Sequence, residues 1–139
     1  MNKFKVTQKG FTLIELLVTV TIVGILLSFA IPNYQDYVIR GKLQEGTSEL
    51  SAGRVRMEQF YQDNRTYVGA PCPAATRNFN FGCGVPTATT YTITATGLNN
   101  LNLFSYTINQ QNTKSTTGAI AGWGATPANC WHVKRGGSC

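Results

Sequence analysis

Hydrophobic and polar positions divide the chain into three regimes. From Phe11 to Pro32 the residues are apolar or small on every side of a helical projection, and Glu15 is the one ionisable side chain. At about 1.5 Å rise per residue such a helix reaches about 33 Å, enough to cross a hydrocarbon core of about 30 Å. Beyond Pro32 the pattern narrows to a stripe. Ile39, Leu43, Gly46, Leu50, Gly53, Met57 and Phe60 recur at steps of three and four, with Arg40, Lys42, Gln44, Glu45, Glu49, Arg54, Arg56 and Glu58 between them. That spacing marks one face of a helix. The two stretches together predict one long helix from Phe11 to Asn64. Glycine costs a helix about 1 kcal/mol relative to alanine, so Gly46 and Gly53 on the apolar stripe predict close approach by a sheet. Pro32 frees the carbonyl of Ser28 and, with Gly24, marks a place where the helix kinks or unwinds.

The third regime is β-like. Residues 66–90 read as loop, rich in Gly, Pro, Ala, Thr and Asn. Tyr91–Thr96 and Leu103–Ile108 alternate large apolar residues with Ser or Thr, the signature of half-buried strands. The run Gln110–Thr113 reads as a turn into a weaker strand near Ser115–Ile120, and Cys130–Lys134 as a short last strand. Asn64-Arg65-Thr66 matches a glycosylation sequon and is read here as helix end plus turn. The expected class is α+β, a long N-terminal helix laid on a small antiparallel sheet of three to four strands.

Charge adds an asymmetry. The formal net charge is +6, and the short head before the apolar span carries Lys3, Lys5 and Lys9, which keeps that end cytoplasmic by the positive-inside rule. No Asp or Glu follows Asp63, leaving Arg65, Arg77, Lys114, Lys134 and Arg135 unopposed in the sequence. The part after Pro32, roughly 100 residues, is the size of one small domain.

Four cysteines, Cys72, Cys83, Cys130 and Cys139, suit an exported domain. Three disulfide connectivities are open, and neighbour pairing is favoured because each local pair brackets one loop. No C-x-x-C spacing or second histidine supports a zinc site, so no metal is expected. Catalytic chemistry has no foothold either. His132 is the single histidine and no acid after Asp63 can orient it. A Gly-rich phosphate loop is absent, the back half lacks the carboxylates a hard cation needs, and no cofactor is expected.

The apolar span has two ordinary readings. A secretory signal peptide would use Ser28-Phe29-Ala30 as its small-x-small cleavage site, but the run exceeds the usual 7–15 residues or so of such signals. A plain membrane anchor leaves Glu15 unexplained, since a carboxylate inside such a span costs roughly 2.5–3.5 kcal/mol. Lys9-Gly10-Phe11-Thr12-Leu13-Ile14-Glu15 instead resembles the leader junction of type IV prepilins, and Gly24 and Pro32 fall where that family also has them. The likeness covers about the first 40 residues.

The resemblance implies a series of expectations. A membrane peptidase and methyltransferase would cut between Gly10 and Phe11 and methylate the new amino terminus of Phe11. The chain would then divide into a cleaved leader (1–10), a transmembrane or filament-core segment (11–32) and the rest of the helix with a globular head (33–139). The head would be periplasmic while the helix sits in the inner membrane, where an assembly platform would pass the subunit into an extracellular pilus of other pilin subunits serving biogenesis, adhesion or twitching motility. Glu15 in a low-dielectric filament core needs a cation. The ammonium of Phe11 on a neighbouring subunit is one candidate, and the same group four residues away on its own helix is the other. Gly24 and Pro32 would let the helix lengthen on leaving the bilayer. The short sheet, the local cysteine pairs and the Cys130-Trp131…Cys139 tail resemble small minor pilins; a C-terminal disulfide loop is a surface region of filaments in that family. A type II secretion pseudopilin and a DNA-receptor pilin for natural transformation are the alternatives. For DNA, the candidate contacts are Trp131, His132, Lys134 and Arg135, with Arg77 and Lys114 brought near. The favoured reading packs Trp131 in the sheet and leaves the cations solvated, because five cations over about 70 residues make a thin patch.

Overall fold

The computed structural model describes residues 10–137 and Cys139; the head of the leader with Lys3, Lys5 and Lys9 lies outside the described residues. One α-helix, α1, spans Leu13–Asn64 and continues through Pro32. It ends where Arg65 turns to a left-handed φ of 58°, which places the sequon at the helix end. The strands are β1 (Phe79–Gly82), β2 (Thr92–Gly97), β3 (Ser105–Asn109) and β4 (Lys114–Gly118), with a single 3-10 turn at Asn99–Leu101. They form one antiparallel sheet in the order β1-β2-β3-β4, each strand beside its neighbour in sequence.

The chain divides into two compact units, one ending at Gln35 and one running from Asp36 to Cys139. In the first, the apolar side chains of α1 are exposed on all sides, and the most apolar stretch of the helix has a mean hydropathy of 2.5. Length and composition suffice to cross a membrane.

In the second unit the amphipathic stripe of α1 is buried. Leu43, Gly46, Thr47, Leu50, Gly53 and Met57 meet the inner face of the sheet. The two stripe glycines have a visible cause. A Cβ at Gly46 would stand 2.7 Å from the ring of Phe79, and one at Gly53 would stand 2.6 Å from Pro73 and 3.2 Å from Ile93. Both lie well inside van der Waals contact, so helix propensity yields to packing here. Phe79, Phe81, Tyr91, Ile93, Ala95, Tyr106 and Ile108 complete the sheet side of the core, closed at one end by Leu101, Phe104 and Trp123.

Two strand expectations need correction. The stretch 66–90 is not all loop: Phe79-Asn80-Phe81-Gly82 forms β1, burying both phenylalanines and exposing Asn80 and Gly82. Asn and Gly disfavour strands intrinsically, and here packing of the two rings overrides that. Conversely, Cys130–Lys134 is not a strand. Its backbone groups bond to side chains. The Thr116 hydroxyl donates to the carbonyl of Cys130 (2.6 Å) and accepts from the N–H of His132 (3.0 Å), while the Tyr106 hydroxyl donates to the carbonyl of His132 (2.6 Å). On the free side of β4, among the described residues, a single bridge forms, Thr116 with Ala128. The segment therefore satisfies its polar groups without a ladder.

Candidate functional site

Two places carry the residues singled out from the sequence, and the first is the start of α1. Thr12 is the residue before the helix. Its N–H and hydroxyl both donate to Oε2 of Glu15, at 2.9 and 2.8 Å, and its Oγ1 accepts the N–H of Glu15 at 3.3 Å. This is a reciprocal capping box, satisfying two donors that a helix start leaves unpaired. The role of Thr12 was missed in the sequence reading, although Thr-x-x-Glu ahead of an apolar run is a known signal. In the uncleaved chain the nitrogen of Phe11 is an amide, its side chain is 89 % exposed, and Glu15 is held by Thr12 instead. Gly24 has open space where a Cβ would project. Pro32 sits inside the helix with its flanking residues exposed.

The second place is the tail loop. Cys130 and Cys139 are joined, with Cα atoms 5.9 Å apart, and Cys72 is joined to Cys83 across 5.7 Å. Trp131 is half-buried, donates from Nε1 to the carbonyl of Thr107 at 2.9 Å, and lies under the ammonium of Lys114, 4.7 Å from the ring centre. His132 is buried, held by its backbone bonds to Thr116 and Tyr106. Burial raises the Tyr106 phenol far above its ordinary value, so it stays a hydroxyl donor. Lys134 is exposed. Arg135 is exposed but engaged: its Nε and Nη2 reach the two oxygens of Asp36 at 2.8 and 3.0 Å, a two-pronged ion pair across 99 positions of sequence.

Of the six DNA-contact candidates, the fold joins Lys114 of β4 to Trp131, ties Arg135 to Asp36 on α1, leaves Lys134 exposed and buries His132. Arg77 does not join them. It precedes β1, the strand at the opposite edge of the sheet, and lies near Glu45. There the Thr76 hydroxyl and the Asn78 amide, the latter 2.5 Å away, hold the Glu45 carboxyl below the usual range, with the Arg77 charge adding a little.

The acidic side chains of the head are mostly engaged internally. Asp36 and Glu45 are bound as described, Glu49 pairs with Arg56, and Glu58 accepts from the hydroxyls of Tyr67 (3.1 Å) and Tyr91 (3.0 Å). Burial and the neighbouring Glu58 push the Tyr67 phenol up to about 12 and that of Tyr91 further in the same direction. This network ties α1, the loop after it and the residue leading into β2 together. At the end of the sheet where β2 begins and β3 finishes, a groove of about 450 Å³ is lined by Cys83, Val85, Tyr91, Thr92, Asn109 and Gln110 among others. Its lining mixes polar and apolar side chains and carries no charge.

Residues 5–31 match the prokaryotic N-terminal methylation motif. Residues 32–120 match the family described as "Type IV minor pilin ComP, DNA uptake sequence receptor". The chain belongs to that family and is a type IV pilin. This pilin is 43 % identical over 79 residues to the type IV major fimbrial protein FimA of Dichelobacter nodosus strain VCS1703A, covering 56 % of the chain and 49 % of the relative. It is also 43 % identical over 70 residues to a fimbrial protein of Pseudomonas aeruginosa, covering 50 % and 46 %. The chain thus spans about half the length of the curated relatives it matches. Among solved structures it resembles the Neisseria meningitidis non-core minor pilin PilV in fold, with a TM-score of 0.55 at 19 % identity, over 60 % of this chain and 91 % of the other. These relatives are named as a fimbrial protein and a minor pilin. The DNA-receptor family match ends at residue 120, before the tail loop.

Proposed function

We propose that this pilin is a low-abundance subunit of a type IV pilus whose head contacts DNA during uptake. The observation that carries the reading is the family match over 32–120, which covers the back of α1 and all four strands. That family description raises the DNA alternative above the purely structural reading favoured from sequence. The electrostatics agree with it. With Asp36, Glu45, Glu49 and Glu58 engaged internally, the exposed cations Lys114 and Lys134 meet little competing negative charge. Phosphate contacts of this kind release counterions and supply affinity, while Asn109 and Gln110, whose oxygens accept the N–H groups of Gln111, Thr113 and Tyr91, keep their amide N–H groups for base-edge acceptors. Trp131 serves less as a stacking platform than as a support for Lys114, since one face is covered and its indole N–H is committed.

Processing and assembly follow the same reading. The peptidase cuts between Gly10 and Phe11 and methylates Phe11. The helix holds the subunit in the inner membrane with its head in the periplasm, and the assembly platform then moves it into the filament. Cleavage turns the amide of Phe11 into an ammonium, the cation that Glu15 needs in a dry filament core. Gly24 and Pro32 give the segment its capacity to unwind.

The test is a head fragment beginning at Asp36, titrated with duplex DNA at two salt concentrations. The receptor reading expects affinity that falls steeply with salt, with Lys114→Ala and Lys134→Ala each lowering the salt slope by about one. No binding at low salt would leave a pilin whose role is structural or in assembly.

A further inference from the structure

Where α1 leaves its apolar span, the chain places cations that neither filament assembly nor DNA contact has claimed. Asp36 is the one acidic residue between Glu15 and Glu45, and Arg40 and Lys42 follow it closely. On a helix Asp36 and Arg40 stand four apart, a spacing at which they would ordinarily pair. They do not, because Asp36 is already taken: Nε and Nη2 of Arg135 hold its two oxygens at 2.8 and 3.0 Å. Arg40 is therefore left exposed, Lys42 is partly exposed, and neither forms an ion pair among the described residues. The next acid, Glu45, is bound to Asn78. Between Asp36 and Arg40, Tyr37 is 72 % exposed. The apolar span ends at Pro32, so Tyr37 and Arg40 come about 8 and 12 Å further along α1, at the headgroup layer and just outside it. Tyrosine is a residue of membrane interfaces, whereas the positive-inside rule disfavours cations at the non-cytoplasmic end of a span. Arg40 and Lys42 thus stand where topology alone would not put them.

We propose that Tyr37, Arg40 and Lys42 form a collar that binds the headgroups of anionic phospholipids in the leaflet on the head's side, and that Arg135 arms this collar by occupying Asp36. The proposal rests on the reading of the front helix as a membrane span and is independent of DNA contact. Each cation held near an anionic lipid surface strengthens binding about fivefold. Arginine takes phosphate oxygens through its planar fork and lysine as a point charge. Tyr37 supplies a ring whose apolar body and hydroxyl suit the boundary between chain and headgroup. Arg135 is a positioning residue here. Without it Asp36 would draw in Arg40 and set a negative charge facing the lipid phosphates. The tail of the chain thereby decides whether a cation on α1 is free, and no local pattern around Arg40 announces that dependence.

The experiment uses the full chain carrying Lys3→Gln, Lys5→Gln and Lys9→Gln, since those lysines would meet the opposite leaflet. Alkaline extraction from phosphatidylcholine vesicles first checks the span. A chain that washes off overturns the span reading and the collar with it, whereas a retained chain without lipid preference overturns the collar alone. Preference is read in detergent micelles by native mass spectrometry, with phosphatidylglycerol and phosphatidylcholine of the same acyl chains. Phosphatidylglycerol should bind at least tenfold more tightly, and Arg40→Gln/Lys42→Gln should abolish the difference. Arg135→Gln should reduce the preference at least threefold. Asp36→Asn/Arg135→Gln should restore it, because no acid then remains to hold Arg40. Lys114→Gln should leave it unchanged, and an excess of inorganic phosphate should not compete. A preference that survives Arg40→Gln/Lys42→Gln, an equal loss in Lys114→Gln, no recovery in the Asp36 and Arg135 double variant, or full competition by free phosphate would each overturn the proposal.

Discussion

Residues 11–35 and residues 36–139 use apolar side chains in opposite ways. In the first region Leu13, Ile14, Leu16, Leu17, Val18, Val20, Ile22, Val23 and their successors are all about half exposed or more, and no position is buried. In the second, Leu43, Leu50, Phe79, Ile93, Leu101, Phe104 and Tyr106 are fully buried. Burying a large apolar side chain contributes about 1.5–3 kcal/mol, so the head gathers its stabilisation within the chain. The front helix must gain it from lipid or from other copies. The contrast extends to charge. Among the described residues Glu15 makes only a local capping contact, whereas every acidic side chain of the head except Asp63 is engaged with another side chain of the head. A region whose partners lie elsewhere tolerates substitution in folding and fails in assembly; a region with its partners inside does the reverse.

The contrast can be broken most severely at the leader junction. Gly10→Val should leave full-length precursor in the inner membrane, because a bulky residue does not fit a peptidase site built for glycine. Mass spectrometry of the membrane fraction checks this; mature chain beginning at Phe11 in that variant would remove the prepilin reading, and a wild-type start at Ile31 would favour an ordinary signal peptide. Next in size, Glu15→Ala should be cleaved, and its head should melt as the wild type does. It should nevertheless enter sheared filaments at least tenfold less, having lost a charge partner in a low-dielectric core. Wild-type incorporation measured by quantitative immunoblot would reduce the front helix to a hydrophobic span alone.

Two smaller effects sharpen the comparison inside the head. Gly46→Ala should destabilise by roughly 1–3 kcal/mol, since its Cβ would press on the Phe79 ring against a well-packed core. Gly41→Ala, one and a half turns earlier with nothing within 4 Å of the added carbon, should stabilise by about 0.5–1 kcal/mol through helix propensity. Denaturant midpoints of the two variants decide it, and equal signs would mean the helix does not approach the sheet as described. The smallest effect concerns pH. The Tyr67 phenol has its folded value raised to about 12 from 10.0, first by burial and then by Glu58. A group raised on folding contributes stability that is fully present below its unfolded value and lost as pH rises through the folded one. Head stability should therefore fall between pH 10 and about 12, and Tyr67→Phe should flatten that fall in guanidinium melts at stepped pH.

The local patterns were legible. The apolar span, the stripe from Ile39 to Met57 and the alternation in β2 and β3 are each written within a window of a few turns, where side-chain period alone selects the element. Even the close approach at Gly46 and Gly53 could be anticipated, because glycine on a buried helical face has few other uses. The Thr12–Glu15 box is equally local, a Thr-x-x-Glu spacing written within one turn ahead of an apolar run.

What the sequence determined by itself was thus the helix, its two environments, and the leader-junction pattern with its acid five residues beyond the glycine, whereas it left the cysteine pairing open among three connectivities. What only the tertiary structure decided lies at long range. Thr116, a β4 residue, satisfies the backbone of Cys130 and His132 and so stops the tail from becoming a strand. Asp36 takes up the guanidinium of Arg135 from 99 positions away, and strand order sends Arg77 to the edge opposite Lys114. The nitrogen of His132 comes to lie beside both sulfurs of the terminal loop. No period or propensity encodes such pairings. They depend on which surfaces meet once the helix stripe and the sheet face have closed on a common core, and that closure is a property of the whole head.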